Sequence, residues 1–398
     1  MRVSTSSRYT AAVQSLQQRQ NDLSASQTQM TTGKRINRPS DDPAGAARAE
    51  RAYIALQRIA SDQRSVEASR NAMTIAESAL GQAGDTLQSV RETLVAAGNG
   101  SLDAAGRATQ ASQLSQLRSQ LLALANQAGS AGGYLFGGQS GSTLPFLDMP
   151  EGVQATAVGG QRQASTGEQL PITVDGRAIW LGAASGNGVF VSAASASNQG
   201  SGWIDAGTVT DPALITGSNS QISFVGTGAA TTYSVSQNGA VTSANGLVYS
   251  AGSAITVDGM SFHISGAPAA GDSFTLGPST PDLNVFAALD RVMATLKTST
   301  ANAGQVTQSI TSGLRDIDSI MGHLQTARSE AGSMLTRLDA IAGRNQDRTL
   351  WAKSMQSDAE DVDMVQAISE FKNQQTGYQA ALQSYASVQR LSLFDYLK

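Results

Sequence analysis

Cysteine is absent from all 398 residues. That excludes disulfides, thiolate metal centres and thiol nucleophiles, and it suits a chain that crosses compartments without redox trapping. Histidine is almost absent too. His263 falls in an expected strand and His323 in an expected helix, with no second imidazole near either, so both are expected to be ordinary rather than metal ligands. With a net charge of -4 and no basic block, the chain has nothing to neutralise a run of phosphates, so no nucleic-acid partner is expected. Arg19, Lys34, Arg35 and Arg38 make only a short local patch. No apolar run is long enough to span a bilayer, so no membrane partner is expected either. The first thirty residues hold no apolar core or small-residue cleavage site, so no cleaved Sec-type signal peptide is expected, and any export would use a route that needs none.

Catalytic signatures are missing as well. HExxH, GxSxG, the phosphate loop GxxxxGK[ST] and a GxGxxG between strand and helix do not occur. The pair Asp41 and Asp42 reads as a helix cap. The run Asp358, Glu360, Asp361 and Asp363 reads as the negative first turn of the last helix. No enzyme activity, cofactor or metal is expected.

What is present is helical period at both ends. From Ile59 the apolar residues return every seventh position, at Val66, Met73, Leu80, Leu87 and Leu94, with Ser69, Ala76, Ala83, Val90 and Ala97 three residues after each from Val66 on. This is a coiled-coil seam. A return stripe runs through Val306, Ile310, Ile317, Ile320, Leu324, Ala327, Ala331, Met334, Leu338 and Ile341, and the two can bury each other.

A first helix carries Tyr9, Val13, Leu16, Leu23 and Met30 and should stop at Gly33. The connector GKRINRPSDDP, residues 33–43, comprises Gly33, Lys34, Arg35, Ile36, Asn37, Arg38, Pro39, Ser40, Asp41, Asp42 and Pro43. Asp42 is placed to cap the next helix, and Pro43 stands at the first helical position, where its missing N–H costs nothing. One helix is expected to run to Ala97, a turn to occupy 98–106, and another helix to end by Gly129. After Pro281 helices resume, with a hinge near 298–304. The last helix aligns Met364, Ile368, Phe371, Tyr378, Leu382 and Tyr385, followed by Leu391, Leu393 and Phe394.

Between the helical ends, residues 140–280 hold 22 of the 40 glycines but only 10 of the 58 charged residues, a shift that marks a β-rich zone. ITVDGRAIWL from Ile172, ITVDGMSFHI from Ile255 and the Asn238-Gly239 pair each predict a β-hairpin through a type I′ turn. The shared string also raises an internal duplication, with chance as the alternative.

The opening MRVSTSSRY, the connector GKRINRPSDDPAGAA, the string YLFGG and the close SDAEDVDMVQAISEFKNQQTGYQAALQSYASVQRLSLFDYL resemble the bacterial flagellar axial proteins. Within that group they are more similar to the hook-filament junction (third hook-associated protein) branch than to flagellin, whose LSSG-L-RIN connector and LLSLL ending differ from the pattern here. The similarity covers about the first 140 and last 115 residues. It implies a mainly α fold with an inserted β-rich domain, and a structural adaptor without an active site.

Carried onto this chain, residues 1–42 with 355–398 would form a paired-helix inner tube. Residues 43–140 with 281–354 would form a long-helix core, and 141–280 an outer β domain. The implied partners are a homo-oligomeric ring of the same chain, a neighbouring hook-associated protein, flagellin and a flagellar export chaperone, and the implied location is the extracellular flagellum. The apolar stripes of the first and last helices would be the assembly interface. The alternatives are a flagellin that forms the filament itself, and a surface-binding module displayed on helices. The second is weakened by an aromatic set limited to Trp180, Trp203, Tyr233, Tyr249, Phe190, Phe224, Phe262 and Phe274 in the β zone.

Overall fold

The computed structural model describes residues 5–395 apart from 131, 166, 167 and 243, with side chains described from 9 to 387 and not at 229. Its helices are α1 (Thr5–Thr32), α2 (Pro43–Ala97), α3 (Ala104–Ala125), α4 (Gly176–Leu181), α5 (Val285–Lys297), α6 (Ala303–Glu360) and α7 (Met364–Asp395). Two compact units are present, Met1–Arg64 with Ile341–Lys398, and Ser65–Ala340, so α2 and α6 supply residues to both.

In Ser65–Ala340 the heptad seam is buried. Val66, Met73, Leu80, Leu87 and Leu94 are each at most 3% exposed, and the return stripe from Ile310 to Leu324 is buried opposite them. Burying each such side chain contributes about 1.5–3 kcal/mol. Arg70 pairs with Asp339, Arg328 with Glu77 at 2.6 Å and Arg91 with Asp318 at 2.9 Å, which fixes α2 and α6 as antiparallel neighbours. Both expected breaks occur. Asp103 caps α3 by accepting from Gly106 N at 2.7 Å. At the start of α6, Asn302 Oδ1 accepts from Gln305 N at 2.8 Å while Gln305 Oε1 accepts from Asn302 N at 3.1 Å, a reciprocal capping box.

The strand-rich zone divides into two parts. Strands β1 (Phe146–Met149) and β2 (Gly152–Ala155) form a hairpin that packs with α4 on the helices, where Phe146 and Trp180 both meet Phe286 of α5, at 6.2 and 6.3 Å between ring centroids. Arg118 of α3 ties this layer down, reaching Asp148 at 2.8 Å and Asp290 at 2.7 Å. The Arg118 hydrogen bonds hold the Asp148 carboxyl below its ordinary value, and the same bonds to Asp148 raise the guanidinium further. The YLFGG string belongs to this layer. Leu135 and Phe136 are fully buried, and Gly138, at φ +60°, approaches Val158 so closely that a Cβ would lie 1.8 Å from its carbonyl oxygen.

One expected hairpin is wrong. In ITVDGRAIWL, Asp175 caps α4 by accepting from Ala178 N at 3.0 Å, and Gly176 lies against the Phe136 backbone. The residues after the turn, Arg-Ala-Ile-Trp-Leu, favour a helix more than Met-Ser-Phe-His-Ile does, and their Ile179 and Trp180 are buried, with Trp180 against Phe136 and Phe286. The two copies of ITVDG therefore end in different structures, which removes the case for duplication.

The second part is a β-sandwich. One sheet orders β3 (Phe190–Ala194), β12 (Ser273–Pro278), β6 (Ser220–Val225), β7 (Thr232–Gln237) and β8 (Ala240–Val241), with β9 (Leu247–Val248) also on β7. The other orders β10 (Ala254–Val257), β11 (Met260–Ser265) and β4 (Trp203–Ile204), with β5 (Thr208–Val209) on β11. Phe224, Phe274 and Ile222 of the first sheet share one core with Phe262, Ile264 and Ile255 of the second. The other two hairpins form as expected. Asn238-Gly239 and Asp258-Gly259 take φ of 47°, 86°, 49° and 69°, the positive values that a type I′ turn requires.

From Phe190 to Pro278 there is no lysine, arginine or glutamate. The sandwich is held on α6 by side-chain to backbone hydrogen bonds. Gln308 both accepts from Ile204 N at 2.8 Å and donates to its carbonyl at 3.3 Å, Asn302 donates to Gln199 and Gly200, and Arg315 donates to Ser192 O at 3.0 Å. Gly304 permits the approach, since a Cβ there would meet the Ser201 backbone at 2.5 Å.

Candidate assembly interface

The connector residues lie in the unit Met1–Arg64 with Ile341–Lys398. α1 ends at Thr32 and Gly33 turns the chain with φ +71°, a conformation that suits glycine. Asp41 Oδ2 accepts from Asn37 N at 3.1 Å and Arg38 N at 2.8 Å, which folds residues 37–41 into a tight turn across Pro39. Asp42 caps α2 as expected, accepting from Gly45 N at 2.9 Å. That backbone bond, with the Arg35 guanidinium 3.2 Å away, holds its carboxyl below the ordinary aspartate value. Ile36 is half-buried and Pro43 opens α2.

The connector is paired with a second one. Arg35 N donates to Glu360 O at 2.6 Å and Val362 N donates to Gly33 O at 3.0 Å, an antiparallel bridge between Lys34 and Asp361. Lys34 Nζ reaches Glu360 at 3.0 Å, and Arg35 Nη2 donates to the Ala359 carbonyl at 2.8 Å. The acidic run is thus not the first turn of α7. Asp358 and Glu360 end α6, and Asp363 alone caps α7, accepting from Val365 N at 2.9 Å and Gln366 N at 3.1 Å. This tie was not foreseen. Its signal in the sequence is two short breaks of opposite charge, Lys34-Arg35 and Glu360-Asp361.

Beyond the tie, α1 and α7 run antiparallel. Gly377 lies beside Arg19, and Tyr9 stands 5.8 Å from Tyr385 between ring centroids. Hydrogen bonding to Tyr9 raises the Tyr385 phenol above its ordinary value. The stripes are only half covered by this pairing. Val13, Leu16, Leu23, Met30, Phe371, Tyr378 and Tyr385 are half-buried, while Met364, Ile368 and Leu382 are 40–44% exposed. The positions that close fully are small ones missed by the apolar pattern, Ser26 and Ala367. Leu391, Leu393 and Phe394 lie outside the described side chains, as residues 1–4 of the opening motif lie outside the described backbone.

Among the described residues no group of three or more His, Asp or Glu side chains could hold a metal, and no helix is long and apolar enough to cross a membrane. His263 pairs with Asp205 at 2.8 Å and His323 with the Ala178 carbonyl at 3.0 Å. Trp180, Phe190, Phe224, Phe262 and Phe274 are core residues.

Comparison with known proteins agrees with this layout. Residues 3–141 match the bacterial flagellin N-terminal helical region, 314–397 the bacterial flagellin C-terminal helical region, and 193–278, the sandwich, the D2-like domain of flagellar hook-associated protein 1. Flagellar hook-associated protein 3 of Escherichia coli K12 is 26% identical over 410 residues, covering all of both chains. The crystal structure of flagellar hook-associated protein-3 from Legionella pneumophila superposes with a TM-score of 0.70 at 27% identity, over 77% of this chain and 97% of that one. The crystal structure of FlgL from Xanthomonas campestris does so with a TM-score of 0.65 at 30% identity, over 72% of this chain and 94% of that one. A half-covered pair of terminal helices, a buried long-helix seam and an inserted sandwich, matched along the whole length, make this chain a member of the flagellar hook-associated protein 3 (FlgL) family of structural flagellar proteins, which are not enzymes.

Proposed function

We propose that this chain is a structural adaptor at the junction between flagellar hook and filament and that it self-assembles through α1 and α7 into a ring. The carrying observation is the stripe from Val13 to Met30 and from Met364 to Tyr385, which one chain leaves half open. A two-helix pair of this kind is marginal alone, and further apolar surface from neighbours supplies what it lacks. In this reading 1–42 with 355–398 form the inner tube, 43–140 with 281–354 the surrounding helical layer, on which 146–181 pack, and the rest of 141–280, the sandwich, the outward part. Partners are a neighbouring hook-associated protein on one side and flagellin on the other, reached after chaperone-assisted export.

Electron microscopy of cells lacking the gene tests the proposal. Hooks without filaments, with flagellin released into the medium, are expected. Cells that still build filaments on their hooks overturn it.

A further inference from the structure

The segments of α2 and α6 within the unit Met1–Arg64 with Ile341–Lys398 are packed in an unusual sense. Apart from Ile341 and Asn345 near the unit's edge, their buried positions are small, Ala49, Ala52, Ala342, Ala352 and Ala359, while Tyr53, Ile54, Leu350 and Trp351 are 49–67% exposed. Large apolar side chains turned outward from an alanine seam mark a surface made to be covered.

The two sides of this helix pair differ. At 3.6 residues per turn, the residues before and after a buried position swing about 100° to either side of it. Trp351 and Lys353 therefore flank Ala352 on opposite sides, as Arg51 and Tyr53 flank Ala52. On the Lys353 side, Leu56, Ile59, Ala60 and Thr349 line a trough of about 400 Å³. Along the same side, Glu50 and Tyr53 line a second cavity of about 400 Å³ that reaches Glu360. On the other side stand Trp351 as a knob and the exposed Arg51.

We propose that the knob side of one copy packs against the trough side of a second copy of this chain. Trp351 enters the trough over Leu56, Ile59 and Ala60, with the Lys353 ammonium against its indole face, and Arg51 meets Glu50. Each mating pair lies at one height along its own helix, so copies stand side by side without an axial step. A head-to-tail contact related by rotation alone closes into a ring, whereas one with a step makes a filament. This contact rests on the self-assembly proposed above and adds a lateral surface distinct from α1 and α7.

The absence of cysteine makes a disulfide trap clean. Asp347, one turn before Trp351 on its side, and Ala60, in the trough, are both exposed. The full chain carrying Asp347→Cys and Ala60→Cys is expressed in cells lacking their own copy, and isolated flagella are oxidised. The two positions lie on opposite sides of one chain, so only a neighbour can close the bond. A ladder of dimers, trimers and larger species is expected from the double variant, none from either single variant, and loss of the ladder when Trp351→Ala is added. Chain recovered in flagella without a ladder, or a ladder that survives Trp351→Ala, overturns the lateral contact alone. Chain that is secreted and folded but absent from flagella overturns the self-assembly on which it rests.

Discussion

The seam of α2 with α6 in Ser65–Ala340 and the pair of α1 with α7 are written in the same alphabet of three- and four-residue apolar steps, yet they end differently. Along the seam, Leu87 and Leu94 have no exposed surface, whereas in the terminal pair Ile368 and Leu382 keep 40% and 42% of theirs. A stripe in a sequence records that a surface will be covered. It does not record by which molecule.

The largest effect that would sharpen this contrast is a carboxylate placed in each stripe. Leu87→Asp should lose more than about 4 kcal/mol, because an unpaired charge would lie in a closed seam. Leu382→Asp should leave the urea unfolding free energy of the monomer unchanged within about 0.5 kcal/mol, while blocking incorporation into flagella. Secretion is measured separately, since a secreted but unincorporated protein is the expected outcome. Equal destabilisation by both variants would erase the distinction.

Next in size are two deletions. Ser185 and Thr280 are hydrogen-bonded at the neck of the sandwich, N to O at 2.9 Å, so replacing 188–277 with a short Gly/Ser linker should leave the helices folded. Deleting 141–280 should instead destabilise α3 and α5 by about 3–5 kcal/mol, because Phe146 and Trp180 are removed from Phe286. Circular dichroism melts of the two proteins discriminate. Within that layer, Arg118→Met should cost about 2 kcal/mol in chemical unfolding, less than a fully buried pair, because Asp148 and Asp290 remain partly exposed to water.

The smallest expected effect is on acidification. Asp148 and Asp42 both titrate below their ordinary value when folded. Their contributions are therefore present above about pH 4 and lost as pH falls through the depressed folded values. Unfolding midpoints followed from pH 6 to pH 3 should fall less in Asp148→Asn than in the parent chain, and an unchanged slope would show that Arg118 does not set this titration.

The helices were legible because they announce themselves locally. Gly33, Asp42 and Pro43 punctuate the first break, and the heptads from Val66 to Leu94 identify the buried seam. Two of three hairpins were legible for the same reason, since Asn-Gly or Asp-Gly with strand formers on both sides leaves little choice. Asp175-Gly176 was misread because the Asp-Gly pair outweighed the helix preference of the five residues after it, and because Trp180 packs on Phe136 and Phe286, which lie outside any local window. The tie between Gly33 and Val362 joins residues 329 positions apart through backbone atoms, which carry no identity in a sequence. The outward Trp351 was missed because a search for apolar period discards what falls outside the stripe.

The charge-poor sandwich has a consequence for digestion. Between Arg177 and Arg291 there is no basic residue for trypsin and no glutamate for a Glu-specific protease. A sandwich that opens transiently therefore offers such enzymes nothing to cut. The same stretch leaves a complete tryptic digest as one long peptide, so the part of this protein with the fewest ionic groups is also the part that peptide mapping reports on least.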